Sequence, residues 1–331
     1  MGFFLRDAVA EPTAVVGPVV EWEETDCLLC GGRSWSPLVE APDGTAGGTG
    51  LWFVVVQCQD CGLCFTNPRP SPGTIGQFHP HRPMSRRVSD GWHSHWWRAA
   101  FRWLARPRRD SQLVAPFGAR RLLDLGCGDS SYLEQMQRLG WTVTPLEASR
   151  LSPFPLSPSP RERGRRKGDS AQGLPIRDEP RPHLELRSEM FDLVTMHHSL
   201  PCLHAPLQAL REIHRLLAPG GRLLVVTPNI DSLPFRWFGH VWYGLDLPRH
   251  LTHFAPWTLY LMLHKAGFRM GPIRMVGHSG WLRRSAGLAC RSPEGTRRHR
   301  WLAGKPLSRL ATWYSRLTYQ ADCMMVMAER S

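Results

Sequence analysis

The chain has 331 residues, 42% of them hydrophobic, and a formal net charge of +13. That length can bury one α/β domain of about 200 residues and a smaller unit beside it. It contains no apolar run of the ~18 residues that a membrane span needs, and "MGFFLRDAVAEP" lacks the apolar core of a signal peptide, so a soluble cytoplasmic protein is expected.

The positive charge is concentrated. Residues 82–109 carry eight arginines against Asp90, and 161–167 carry five basic residues against Glu162, so these two stretches hold eleven of the thirteen net charges. The rest of the chain is nearly neutral, and general nucleic-acid binding does not follow from charge alone.

In chain order, residues 1–21 form an irregular lead-in. Residues 22–70 form a small unit: a C-x-x-C pair, the loop "PDGTAGGTG", the strand "LWFVVVQC" and a second C-x-x-C. A unit this small needs a staple. Residues 71–110 read as a linker followed by a basic helix, "GWHSHWWRAAFRWLA". Trp92, Trp96, Ala99 and Trp103 make one stripe of that helix, and Arg98, Arg102 and Arg106 another. Such a helix can lie on an anionic membrane surface; packing of its aromatic stripe against the protein is the favoured reading.

From 111 to 331 strand and helix patterns alternate. "RRLLDLG", "WTVTPLE", "MFDLVTMHH" and "RLLVVTPN" read as strands, and "SSYLEQMQRLG" and "APLQALREIHRLLAPGG" as helices, the second closed by Pro-Gly-Gly. This alternation predicts a Rossmann-like, doubly wound parallel sheet. "TLYLMLHKAGF" then reads as a helix, "RMGPIRMVG" as one strand, 278–319 as partly helical and "DCMMVMAER" as the last strand. The proline- and arginine-rich stretch 151–170 interrupts the pattern where a helix is due, and is read as an exposed, disordered insertion.

Two motifs carry chemistry. Cys27, Cys30, Cys58 and Cys61 can present four thiolates tetrahedrally, the preference of structural zinc, and four ligands leave no open catalytic position. Glycines at 31, 32 and 62 allow the tight turns. Incidental buried cysteines and a redox pair are the alternatives, and Cys64 is a spare. The second motif is "LLDLGCGDSSYL". Its strand ends in Gly126-Cys127-Gly128, where the backbone can approach a ligand. Glu147, at the end of the next strand, can accept hydrogen bonds from both hydroxyls of a ribose. The long phosphate-binding glycine turn is not there, which favours an S-adenosylmethionine-type ligand over a dinucleotide.

Together with "CGLCFTNPRP", "FDLVTMHHSL", "LREIHRLLAPGGRLLVVTPN" and "FGHVWYGLDLPRHLTHFAPWTLYLMLHKAGF", these stretches make the chain resemble bacterial class I S-adenosylmethionine-dependent methyltransferases with an N-terminal zinc ribbon. The resemblance implies a seven-stranded sheet with an antiparallel last strand. It also implies that Asp124, Gly126 and Gly128 cradle the methionine part, that Glu147 holds the ribose and that Asp178 lies beside the adenine. His250 is similar to the histidine that related zinc-domain sugar C-methyltransferases use as general base, with Asp246 as its orienting partner; a turn-capping role for His250 is the alternative, and His204 a competitor. His197-His198 and His253 also compete for the catalytic role, with a structural or cofactor-edge place the favoured reading for His197 and His198. The chain departs from the family at Ser130, at Pro201 and Cys202, where the family commonly reads Glu-His, and at 151–170. The expected acceptor is a small molecule or glycan precursor, methylated at carbon or oxygen. A non-enzymatic methyltransferase-fold scaffold and an RNA methyltransferase are the rival readings. Loss of zinc is expected to melt 22–70 while the sheet stays folded.

Overall fold

The computed structural model describes residues 20–44, 49–78, 120–126, 130–146, 186–291 and 296–331. The helix expected over 91–106, the insertion at 151–170, and the site candidates Cys127, Gly128, Glu147 and Asp178 lie outside the described residues.

The N-terminal unit contains β1 (Trp22–Glu23), β2 (Trp35–Pro42), β3 (Trp52–Cys58), β4 (Cys64–Thr66) and β5 (Arg69–Pro70). The β-branched run of β3 forms the expected strand and delivers Cys58 at its end. β3 pairs antiparallel with β2 and β4. A fourth strand comes from far along the chain: β10 (Thr252–His253) pairs with β4, setting Thr252 opposite Phe65 and His253 opposite Cys64. The boundary read at residue 70 is therefore crossed by main-chain hydrogen bonds.

The second sheet has seven strands. β6 (Arg121–Leu125), β7 (Thr142–Leu146), β8 (Phe191–His197) and β9 (Leu217–Pro228) are parallel; β13 (Cys323–Arg330) runs antiparallel beside β9. The order is β7-β6-β8-β9-β13-β11, with β11 (Phe268–Met270) and β12 (Arg274–Val276) both pairing with β13. The strand count and the antiparallel last strand are those that the resemblance implies. The continuous apolar runs in β6, β8 and β9 fit strands covered on both faces.

The helices are α1 (Ser130–Arg138), α2 (Pro206–Leu216), α3 (Leu233–Phe238), α4 (Pro256–Lys265), α5 (Ser279–Ala289), α6 (Arg297–Leu302) and α7 (Lys305–Leu317). α2 buries Ala209, Leu210, Ile213 and Leu216 along one face. Two local readings change. α2 ends at Leu216, and "APGG" lies within the extended segment that becomes β9. The stretch 268–276 is two short strands, because Gly271 and Pro272 break the ladder between them.

One hydrophobic cluster joins both sheets. Cys27, Leu29, Cys58, Leu63 and Phe65 share it with Val194, Leu210, Met262 and Met324. The Lys265 ammonium donates to the Leu29 carbonyl at 2.7 Å, which ties α4 to the first cysteine turn. Across the same seam, His204 Nε2 donates to the Pro70 carbonyl at 3.0 Å. His204, a competitor for the catalytic role, thus holds the two units together.

Candidate active site and metal centre

The two cysteine turns are built alike. In the first, Gly31 N–H donates to the Cys27 carbonyl and Cys27 N–H to the Gly32 carbonyl; in the second, Gly62 donates to Cys58 and Cys58 to Leu63. Gly31 and Gly62 have φ of 79° and 77°, a conformation that a side chain would strain. The four sulfurs lie within 4.8 Å of one another, with Cys27–Cys61 and Cys30–Cys58 each at 3.5 Å. Sulfurs at about 2.3 Å from a tetrahedral zinc would stand about 3.8 Å apart, whereas a disulfide requires about 2.05 Å. Donor type and spacing both fit zinc.

At the carboxyl end of β6, Asp124 is buried and its Oδ1 accepts a hydrogen bond from Thr195 on β8 at 2.6 Å. Gly126 follows it, and a side chain there would press on the Asp124 carboxylate, with its Cβ 3.3 Å from Oδ2. This strand end, with a carboxylate behind a bare backbone, fits the methionine end of the implied cofactor. His197 closes β8 and stands edge-on to the Tyr132 ring, with centroids 5.3 Å apart.

Beyond the next parallel strand end is a narrow crevice lined by Thr227, Trp242, His250, Thr252 and His253, with Pro201, Pro228 and Ile230. His250 Nδ1 lies 3.1 Å from the Gly244 carbonyl. A carbonyl can only accept, so Nδ1 carries the proton and Nε2 is the basic nitrogen of the neutral ring. Gly244 can hold this place because the Trp242 ring folds over it; a side chain would come within 2.3 Å of that ring. The Thr66 hydroxyl of β4 donates to the His250 carbonyl at 3.0 Å and lies 3.3 Å from His253 Nε2. The small sheet thereby fixes both histidines.

Asp246, the expected orienting partner, acts on His250 through its charge. Its carboxylate takes Arg249, whose Nε lies 3.0 Å from Oδ2, and Arg249 in turn reaches the Phe78 carbonyl. The Gly244 carbonyl holds His250 Nδ1, so the turn-capping bond is present while Nε2 is the ring's basic nitrogen. Three crevice atoms, Thr227 Oγ1, Trp242 Nε1 and Thr252 Oγ1, are buried without a hydrogen-bond partner. Such atoms are uncommon, and a bound water, an ion or a ligand group would satisfy them.

Further histidines stand nearby: His198, weighed beside His197 in the sequence, and His278, which the sequence reading passed over. His198 has φ 54°, unusual for a non-glycine residue at a strand end. It lies near Trp281, as does His278, with ring centroids 5.4 and 4.7 Å apart respectively. His278 Nδ1 stands 3.0 Å from the buried Asp322 carboxylate. A histidine at 278 and an aspartate at 322 carry no shared motif, and only the antiparallel β12–β13 pairing brings them together.

Burial holds His198 well below its usual range, aided by His278, His250 and His197. Burial also lowers His250, against the pull of Asp246, and lowers His253 to about 3. The unfolded chain binds protons on these rings near pH 6.5 and the native protein resists them. Stability is therefore full above pH 6.5 and is lost as pH falls from there toward about 3. The loss is up to about 1.4 kcal/mol per pH unit for each ring. Urea midpoints are expected to drop from pH 7.5 to pH 5; equal midpoints would contradict this.

A family profile described as a methyltransferase domain matches residues 96–271, which include β6 to β11 and the His250 loop. The chain belongs to the methyltransferase-domain family. Among curated relatives, the ubiquinone biosynthesis O-methyltransferase of Caulobacter sp. strain K31 is 36% identical over 129 residues, which cover 38% of this chain and 48% of that protein. The enzyme of the same name from Cereibacter sphaeroides strain KD131 is 30% identical over 166 residues, covering 48% and 64%. The chain thus spans about half to under two thirds of the curated relatives it matches. A solved complex of the Haloferax volcanii Trm112 activator and a putative methyltransferase matches with 13% identity and a TM-score of 0.43, over 74% of this chain and 93% of that one. A Thermotoga maritima S-adenosylmethionine-dependent methyltransferase matches with 12% identity and a TM-score of 0.37, over 75% and 98%. S-adenosylmethionine is the cofactor of this methyltransferase domain's family. Asp124 and Gly126 stand at the carboxyl end of β6, and His197 at that of β8.

Proposed function

We propose that this chain transfers a methyl group from S-adenosylmethionine to a small molecule or glycan precursor, with His250 as general base and zinc held by Cys27, Cys30, Cys58 and Cys61 as a structural ion. The relatives named as O-methyltransferases favour a hydroxyl as the accepting group. The observation that carries the reading is the crevice: a histidine with a fixed tautomer stands among three buried polar atoms that lack partners, beside the strand ends of a methyltransferase sheet.

When bound, the cofactor supplies an electrophilic methyl group and keeps the electron pair of the broken C–S bond on sulfur. The protein's part is to place the acceptor in line and take its proton. Trp242 Nε1 can only donate, whereas the Thr227 and Thr252 hydroxyls can donate or accept, so the crevice suits an oxygen-bearing acceptor. His250 Nε2 receives the hydroxyl proton as the new C–O bond forms. Lowered basicity keeps the imidazole neutral at physiological pH, the form a base requires. Zinc stays outside the chemistry; its four-thiolate site braces the sheet that holds Thr66 against His250 and His253.

Calorimetry with S-adenosylhomocysteine tests the cofactor half of this reading. Binding is expected, and Glu147→Ala should weaken it by about 1–3 kcal/mol through lost charge-assisted hydrogen bonds. No heat at high concentration would turn the assignment toward a non-enzymatic scaffold.

A further inference from the structure

Helix α7 has its polarity reversed for a surface helix. Its inward residues are small and hydroxylated: Ser308 is 0% and Ser315 1% exposed, and Thr312 is buried with them. These hydroxyls satisfy themselves within the helix, Ser308 on the Lys305 carbonyl, Thr312 on that of Ser308 and Ser315 on that of Thr312. The large apolar residues face outward, with Leu310 58%, Trp313 57% and Leu317 61% exposed, alongside Leu307 and Tyr314. At 3.6 residues per turn these five occupy an arc of about 120°. Lys305, Arg309 and Arg316 lie together along one border of that arc, also exposed. Trp301 on α6 and Tyr319 just after α7 add two more exposed rings.

Charge identifies what covers this face. Residues 296–321 contain six Lys and Arg and no Asp or Glu. A second copy would set the same positive rim against itself. The stretch 82–109, with eight arginines and a single aspartate, is no better complement. Trp, Tyr and Leu within a cationic border match an anionic lipid surface, where the rings sit at headgroup depth and the cations meet phosphate. Among the described residues no helix is long and apolar enough to cross a membrane, so the contact is interfacial. We propose that α7, with Trp301 and Tyr319, lays the protein on an anionic membrane surface.

Vesicle co-sedimentation of the full chain tests this. With phosphatidylcholine vesicles containing phosphatidylglycerol, the protein should sediment at low salt and be released at high salt; phosphatidylcholine alone should retain far less. The double substitution Trp313→Ser/Leu317→Ser should weaken binding at least about tenfold, since it removes most of the buried apolar area, while circular dichroism and the thermal midpoint hold. Should that variant fail to fold, Lys305→Glu/Arg309→Glu should abolish the preference for anionic vesicles. Absence of binding to anionic vesicles would overturn the proposal. Unchanged binding by a folded variant would move the contact to another segment. A dimer dissolved by the same double substitution would assign the face to a second copy instead.

Discussion

His250→Asn is expected to lower kcat by about 10²–10⁴-fold, the usual contribution of a positioned general base. Asparagine can still donate to the Gly244 carbonyl, so the loop should keep its shape while the basic nitrogen is lost. Affinity for S-adenosylhomocysteine should stay within about twofold, because His250 lines the acceptor crevice and not the β6 strand end. The pH profile separates catalysis from structure. Wild-type kcat/KM should rise with pH along an acid limb whose midpoint lies below 6.5, the direction in which burial moves His250. The variant should lose that limb. Full turnover with the limb intact would place the base elsewhere, and His278 beside Asp322 would be the next residue to replace.

Cys58→Ser is expected to release zinc and to unfold far more than the ribbon. Structural zinc contributes about 10–16 kcal/mol in small peptide sites, comparable to the ~5–15 kcal/mol that holds a whole domain folded. Cys58 belongs to the cluster that also contains Val194, Leu210 and Met324, and β4 is paired with β10. The loss should therefore spread into the seven-stranded sheet, giving a broad, lowered transition for the whole chain. This replaces the expectation that residues 22–70 melt alone. Thermal unfolding beside a metal assay checks it: wild-type protein without zinc, or an unchanged midpoint in the variant, would refute it.

What was legible in the sequence depended on periodicity and spacing. The apolar runs of β6, β8 and β9 gave the sheet, and the two C-x-x-C pairs gave a four-sulfur cluster that the structure assembles within 4.8 Å. His250 was singled out by resemblance, and the structure puts it in the crevice. Which carbonyl holds its Nδ1 was not foreseen. Arg249 lies closer in sequence to Asp246 and competes for it, and a backbone carbonyl leaves no mark in a side-chain pattern. The β4–β10 pairing joins segments separated by 187 residues through a two-residue strand, too short for any periodic signal. Thr227, Trp242 and Thr252 read as ordinary strand and loop residues; only their burial without partners distinguishes them.

The most direct test of the account is a crystal structure with S-adenosylhomocysteine bound. The adenosyl group should lie over the ends of β6 and β7, with sulfur facing the crevice and room for one acceptor oxygen between it and His250 Nε2. An adenosyl group held elsewhere, or a sulfur turned away from Thr227, His250 and Thr252, would contradict it.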